Sequence, residues 1–251
     1  MIFGLPPNEE SPMKRAALAA STLSLLSLAT LTACGGDADS DAATGEPRPT
    51  ASRAKQVTPA ERLAKLMITK ADVPGLDVKP KSAEDDEYAF AQSPDDVTVD
   101  KPACAPLAYA MNQLPLGEAQ GDLTHSVPQN SQFTYITLTT YAPGMAESAF
   151  AGLAKGVDSC GGGFTAKAKG TAPYDSVTSE KPVAEGGDES LAFRSTTTLK
   201  GITHTMHAQA VRSGDVIAVY FSVDGMAMVQ ERPGDAKLPA TVVKAQNAKL
   251  G

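Results

Sequence analysis

The chain has 251 residues and a formal net charge of -7, with 22 Lys and Arg against 29 Asp and Glu. That balance argues against nucleic acid and against a purely electrostatic grip on anionic lipid. Once residues 1–57 are set aside for the reasons given next, residues 58–251 are one domain by size, long enough to bury a core.

Met13-Lys14-Arg15 precedes an apolar run over residues 16–31, followed by Thr32, Ala33 and Cys34. A charged start, a short apolar run and small residues before a cut site make a secretory signal. Leu31-Thr32-Ala33-Cys34 matches the lipobox of bacterial lipoproteins, in which the Cys thiol takes a diacylglyceryl group and a peptidase cuts just before it. A transmembrane span is the competing reading, but it needs about 20 predominantly apolar residues. This run is shorter and is broken by Ser and Thr. Residues 1–33 are therefore read as a signal peptide. Translation is expected to start at Met13, because Glu9 and Glu10 would put negative charge beside the basic start. Two acyl chains, at about 0.8 kcal/mol per buried methylene, would hold Cys34 on the extracytoplasmic face of the cell membrane. Residues 34–57 are Gly, Asp, Ala, Ser, Thr and Pro with almost no large aliphatic side chain. Such a stretch cannot offset its own ordering entropy, so it reads as a disordered tether with a typical span of about 25–30 Å.

Thr58-Pro59 opens a predicted helix with Glu61 in its first turn and Leu63, Leu66 and Met67 on one face. Asp72-Val73-Pro74-Gly75 stops it. Tyr88 to Val99 reads as strand around a turn at Ser93–Asp96, and Cys104 to Leu114 as helix. Gln132 to Tyr141 alternates cleanly and is rich in β-branched and aromatic residues, which marks a strand. Pro143 to Val157 has helical spacing, ended by Cys160-Gly161-Gly162-Gly163. Short strands follow at Phe164–Lys169 and Ser176–Val183, and longer ones at Ser190–Leu199 and Thr203–Val211. A turn over Arg212–Asp215 leads to Val216–Val223, the most apolar strand, and Ala236–Leu250 closes as a helix. Strands joined by short turns imply antiparallel pairing, so the class is α+β: a twisted antiparallel sheet with helices packed on it, in a single domain.

With Cys34 lipidated, Cys104 and Cys160 remain as an even pair in an exported chain, where thiols are normally oxidised. A bridge between them closes a loop of about 57 residues; two buried free thiols are the alternative. No other constellation carries chemistry. His204 and His207 lie three apart on a strand and so point to opposite faces, which argues against a metal site. His125 falls in a stretch read as loop, and Ser93, Ser131 and Ser213 lack a nucleophile context. Glu84-Asp85-Asp86-Glu87 reads as a solvated acidic face and Gly161–Gly163 as a helix end, not a phosphate loop. No catalytic residue, metal or cofactor is expected. Two carboxyl groups meeting about 5–10 Å apart in a pocket would overturn that and point to a hydrolase.

Four stretches carry a family resemblance: Lys101-Pro102-Ala103-Cys104, the helix Ala146–Cys160, Gly187-Asp188-Glu189-Ser190, and the hairpin segment of residues 211–221. With the lipobox and tether, they resemble actinobacterial sensor-domain lipoproteins, similar to the extracellular domain of PknH-type receptor Ser/Thr kinases. The resemblance implies a sheet with helices on it and a cleft for an extracellular ligand. It also implies that sensing passes to another protein. The sequence therefore suggests a monomeric, membrane-anchored, non-catalytic binding or sensor module for a small-molecule or envelope ligand. The alternative is a lipoprotein that works through an envelope protein partner with no small ligand.

Overall fold

Thr58 caps the first helix, α1 (Pro59–Leu66), by a reciprocal pair. Its hydroxyl accepts from the Glu61 amide at 3.2 Å, and the Glu61 carboxylate accepts from the Thr58 amide at 2.9 Å. Two amides that a helix start leaves open are thus satisfied, with Pro59 at the first position where no N–H is missed. The computed structural model describes residues 57–251. The expected signal peptide, Met13, Cys34 and all of the expected tether before Val57 lie outside the described residues.

Eight strands form the main sheet. Its order is β1 (Lys79–Pro80), β3 (Gly121–Gln129), β4 (Gln132–Thr140), β10 (Val216–Asp224), β9 (Ile202–Ser213), β8 (Glu189–Leu199) and β7 (Ser176–Glu180), with β11 (Gly234–Ala236) also on β9. Every pairing is antiparallel except β9 with β11. β10 flanks β9 from His207 to Ser213, and β11 takes over the flank at His204–Met206. A second sheet joins β2 (Thr98–Val99), β5 (Phe164–Lys167) and β6 (Thr171–Tyr174). The remaining helices are α2 (Ala83–Tyr88), α3 (Ala105–Ala110), α4 (Met145–Ser159), α5 (Gly225–Val229) and α6 (Ala240–Leu250). The α+β class, with a mostly antiparallel sheet and helices packed on it, is thus observed.

Both faces of the sheet are covered. On one side α3, α4 and the small sheet pack on Phe193, Met206, Ala208, Ile217, Val219 and Phe221. On the other, α1 and α6 pack on Val127, Ile136, Leu138, Val211, Ala218 and Tyr220. β10 feeds both cores with alternate residues, which is why it is apolar almost throughout instead of alternating with polar residues. Three buried polar side chains tie loops to the α1–α6 side. Gln209 accepts from the Val183 amide at 2.9 Å and donates to the Ala184 carbonyl at 2.6 Å. Gln246 accepts from the Ile68 amide and donates to the Leu66 carbonyl. Asn247 accepts from the Tyr220 hydroxyl at 2.6 Å. Their pairing meets the demand that a buried amide be hydrogen-bonded.

Three local expectations are corrected. Residues 88–99 are not a strand: α2 runs to Tyr88, a 3-10 turn spans Pro94–Asp96, and only Thr98–Val99 pair with β5. The Asp96 carboxylate, accepting from the Ser93 amide at 2.9 Å and hydroxyl at 3.0 Å, closes that turn. Residues 121–129, read as loop, form β3 and carry His125. The last helix starts at Ala240, because Ala236 is spent in β11.

Cys104 and Cys160 are disulfide-bonded, with S–S 1.96 Å and Cα–Cα 6.0 Å, between the start of α3 and the end of α4. Gly156 lets the helices close beside the bridge, since a Cβ there would meet the Ala103 carbonyl at 3.1 Å.

Candidate functional site

The four stretches that carry the resemblance serve the fold. The Lys101 ammonium donates to the Gly163 carbonyl at 2.5 Å, which holds the approach to Cys104 against the start of β5. Gly187, at φ +60, brings the chain so near the β9–β10 turn that a Cβ would lie 2.2 Å from the Arg212 carbonyl oxygen. Asp188 then accepts from the Gly214 amide at 2.8 Å and from Arg212 at 3.0 Å, and Glu189 accepts from Arg212 at 2.5 Å. The segment is a clamp on the hairpin 211–221. Candidate binding groups lie elsewhere.

The first candidate is a cleft of about 360 Å³ where Pro80–Lys81, Gln92–Pro94, Gln113–Pro115 and Asp122–Thr124 converge. Prolines 80, 94 and 115 stiffen three of its walls. Its polar groups come from four separate segments, the pattern of a pocket with a few placed hydrogen-bonding groups. Two of them, the carboxamides of Gln92 and Gln113, make no hydrogen bond among the described residues. Gln113 has φ 62, in the left-handed region that favours glycine. It stands where α3 unwinds, as the Leu114 amide reaches back to the Tyr109 carbonyl at 3.0 Å. That is the helix-ending geometry for which glycine is usual. Here a glutamine holds the position and its side chain lines the cleft. Thr124 is not a free group there, because its hydroxyl pairs with that of Thr137 at 3.0 Å.

The second candidate surrounds His207, whose side chain is only 6% exposed. Nδ1 lies 2.7 Å from a Glu180 carboxylate oxygen, and Nε2 lies 2.8 Å from Asp235 and 3.0 Å from the Lys237 ammonium. Lys237 also reaches the second Asp235 oxygen at 3.0 Å, and Arg194 approaches Glu180 at 3.8 Å. Burial opposes the charge on Asp235, but hydrogen bonds from His207 and Lys237 outweigh it and hold that carboxyl below the usual carboxylate range. Beside the imidazole is a pocket of about 320 Å³. The topology assembles this cluster: β11 runs parallel to β9 and brings Asp235 in from one side, while edge strand β7 brings Glu180 from the other. No spacing in the sequence signals it.

This places two carboxylates near one pocket, the arrangement that would favour a hydrolase. The imidazole ring, however, occupies the space between Glu180 and Asp235, and each carboxylate is aimed at one of its nitrogens. A glycosidic bond has no room between them. The same geometry keeps the three groups from converging on one ion, and among the described residues no three His, Cys, Asp or Glu side chains could hold a metal. His204 and His207 do face opposite sides. His204 shares its face with Met206 and Ala208 of the α3–α4 core, and His207 shares its face with Gln209 and Val211. His204 is buried, and its Nδ1 has no partner. His125 lies on β3 with its own Nδ1 unpaired, and burial pulls its imidazole below the usual range. Among the described residues no helix is long and apolar enough to cross a membrane.

No family model matches the chain, and a comparison with curated proteins gives no match. Among solved structures, the chain is similar to the extracellular domain of PknH from Mycobacterium tuberculosis. The identity is 15% and the TM-score 0.45, over 78% of this chain and 95% of that one.

Proposed function

We propose that the chain is a lipid-anchored extracytoplasmic binding module that holds a small polar ligand in the cleft between β3 and the turns around α2 and α3. The anchor is the diacylated Cys34 of the lipobox. The buried Cys104–Cys160 bridge supports export, because such a bond persists in an oxidising compartment and is rare in a reducing one. The observation that carries the binding role is Gln113. A residue in a left-handed backbone is held there at a cost, and it presents an unpaired carboxamide to a preformed cleft beside that of Gln92. Capture suits this site: two carboxamides line it beside the Lys81 ammonium, the Asp122 carboxylate and the Ser93 and Thr124 hydroxyls, and no imidazole or thiol does.

The test is native mass spectrometry of the protein purified from its own host. Wild type is expected to retain a ligand, and the pair Gln92→Ala with Gln113→Gly to lose it while melting no lower than wild type. Equal ligand occupancy in both would sink the reading. One observation favours a protein partner as a second reading: on α5, Met226 is 41% and Val229 75% exposed. Replacing both by Ser should then abolish a crosslink from that helix to an envelope protein and leave ligand retention unchanged.

A further inference from the structure

The His207 pocket has a chemistry of its own. Its carboxylates are already engaged, Glu180 by His207 and Arg194, and Asp235 by His207 and Lys237. Its cations are not used up. An ammonium has three N–H donors; Lys237 directs one of them at Asp235 and keeps the others, with its side chain 65% exposed. Lys181, also on the lining, forms no ion pair among the described residues. The unspent polar capacity of the pocket is therefore cationic, on a chain whose net charge is -7. The rest of the lining is apolar: Val183, Ala192, Ala208 and Leu238. Val183 is a large hydrophobic side chain left 40% exposed at this pocket, although its own amide is tied down by Gln209.

We propose that this pocket is a second binding site, separate from the Gln113 cleft, and that it takes a carboxylate carried on a short alkyl body. The carboxylate would accept from Lys181 and from a remaining donor of Lys237. Charge-assisted bonds of this kind are roughly twice as strong as neutral ones. The alkyl part would lie along Val183, Ala192 and Leu238 and shed water there. The imidazole of His207 serves as a positioning group: with Glu180 on Nδ1, its Nε2 holds Asp235, and the second Asp235 oxygen holds Lys237 at the pocket wall. An amine of the same shape would meet two ammonium groups and no free carboxylate.

The probe is sodium octanoate, kept below its aggregation concentration, titrated by calorimetry into the chain from Gly35 to Gly251. That chain carries both cores and the disulfide and lacks the lipidated cysteine. Saturable one-to-one binding is expected. Lys181→Ala with Lys237→Ala should weaken it at least tenfold, and the single exposed change Lys181→Glu should weaken it too, so the test survives if the double variant folds poorly. Gln113→Gly should leave octanoate binding unchanged, which separates this site from the first cleft. The proposal is overturned by the absence of saturable binding, by equal binding of octanol or octylamine, by full binding in a folded double variant, or by loss of binding in Gln113→Gly.

Discussion

Gln113→Gly should make the protein more stable, not less. An L-residue in the left-handed region bears roughly 1–2 kcal/mol of strain that glycine does not. Glycine gives back part of this, about 0.5–1 kcal/mol, through the greater freedom of the unfolded chain. The Gln113 carboxamide makes no hydrogen bond that would be lost, and its backbone, at φ 62, already has the glycine conformation. The net gain is then about 0.5–1 kcal/mol. At roughly 2–4 °C per kcal/mol for a domain of this size, the melting temperature should rise by about 1–4 °C. Gln113→Ala is the control, since it trims the side chain but keeps the Cβ and hence the strain. Urea unfolding of the three proteins, with equal m-values, reads the difference directly. A glycine variant less stable than the alanine variant would refute the reasoning, because strain at position 113 would then not be real. A gain in stability with a loss of ligand would show that the position is kept for binding.

Cys104→Ala with Cys160→Ala should cost about 4 kcal/mol in the loop-entropy model, seen as a fall in urea midpoint that dithiothreitol on wild type reproduces; a change under 1 kcal/mol would count against the cross-link as a main stabiliser. Gly187→Ala should destabilise by about 2 kcal/mol or more, because the new methyl meets the Arg212 carbonyl and the φ of +60 is strained; a melting point equal to wild type would refute the clamp. The Arg62 guanidinium, through hydrogen bonds and then charge, holds the Asp215 carboxyl below its usual value of 3.8. A depressed folded pKa contributes stability that is present above that usual value and is lost as pH falls through the folded one. Thermal melts across pH 2 to 6 should therefore show a shallower acid limb for Asp215→Asn than for wild type, and superimposable limbs would contradict the pairing. Cys34→Ala should abolish palmitate labelling of the protein in its host, and equal labelling of variant and parent would remove the anchor.

Much of the fold is legible because its signals are local. The capping of α1 is written in Thr58 and Glu61, and β4 in its alternation of Phe133, Tyr135 and Thr137 with Ile136 and Leu138. β3 is not legible for a physical reason. On one face its residues are Thr124 and Ser126, which meet Thr137 and Tyr135 across the strand, so the expected apolar stripe is replaced by a hydroxyl pair. Pro128 disguises it further; it is tolerated because β1 pairs only with His125 and Ser126 and leaves Pro128 on an open edge. The stretch 88–99 erred the opposite way: its apolar residues suggest a strand, but the Ser93–Asp96 hydrogen bonds favour a turn. The buried amides Gln209, Gln246 and Asn247 look like surface residues in a sequence, since their partners are loop backbones far away in the chain. The Glu180–His207–Asp235 cluster depends wholly on which strands become neighbours, and no periodicity encodes that.

The place of β10 bears on how such a chain folds when it is delivered N-terminus first. β4 is made early, but its partner across Ile136–Tyr220 and Thr137–Val219 is more than 80 residues downstream. Until β10 emerges neither core can close, because β10 supplies both. The two cysteines, by contrast, both precede β5 and the whole second half of the sheet. A chain emerging N-terminus first into an oxidising compartment could therefore be cross-linked between α3 and α4 while five of the eight strands of its main sheet are still missing. That restricts the waiting segment before β10 arrives to complete either core.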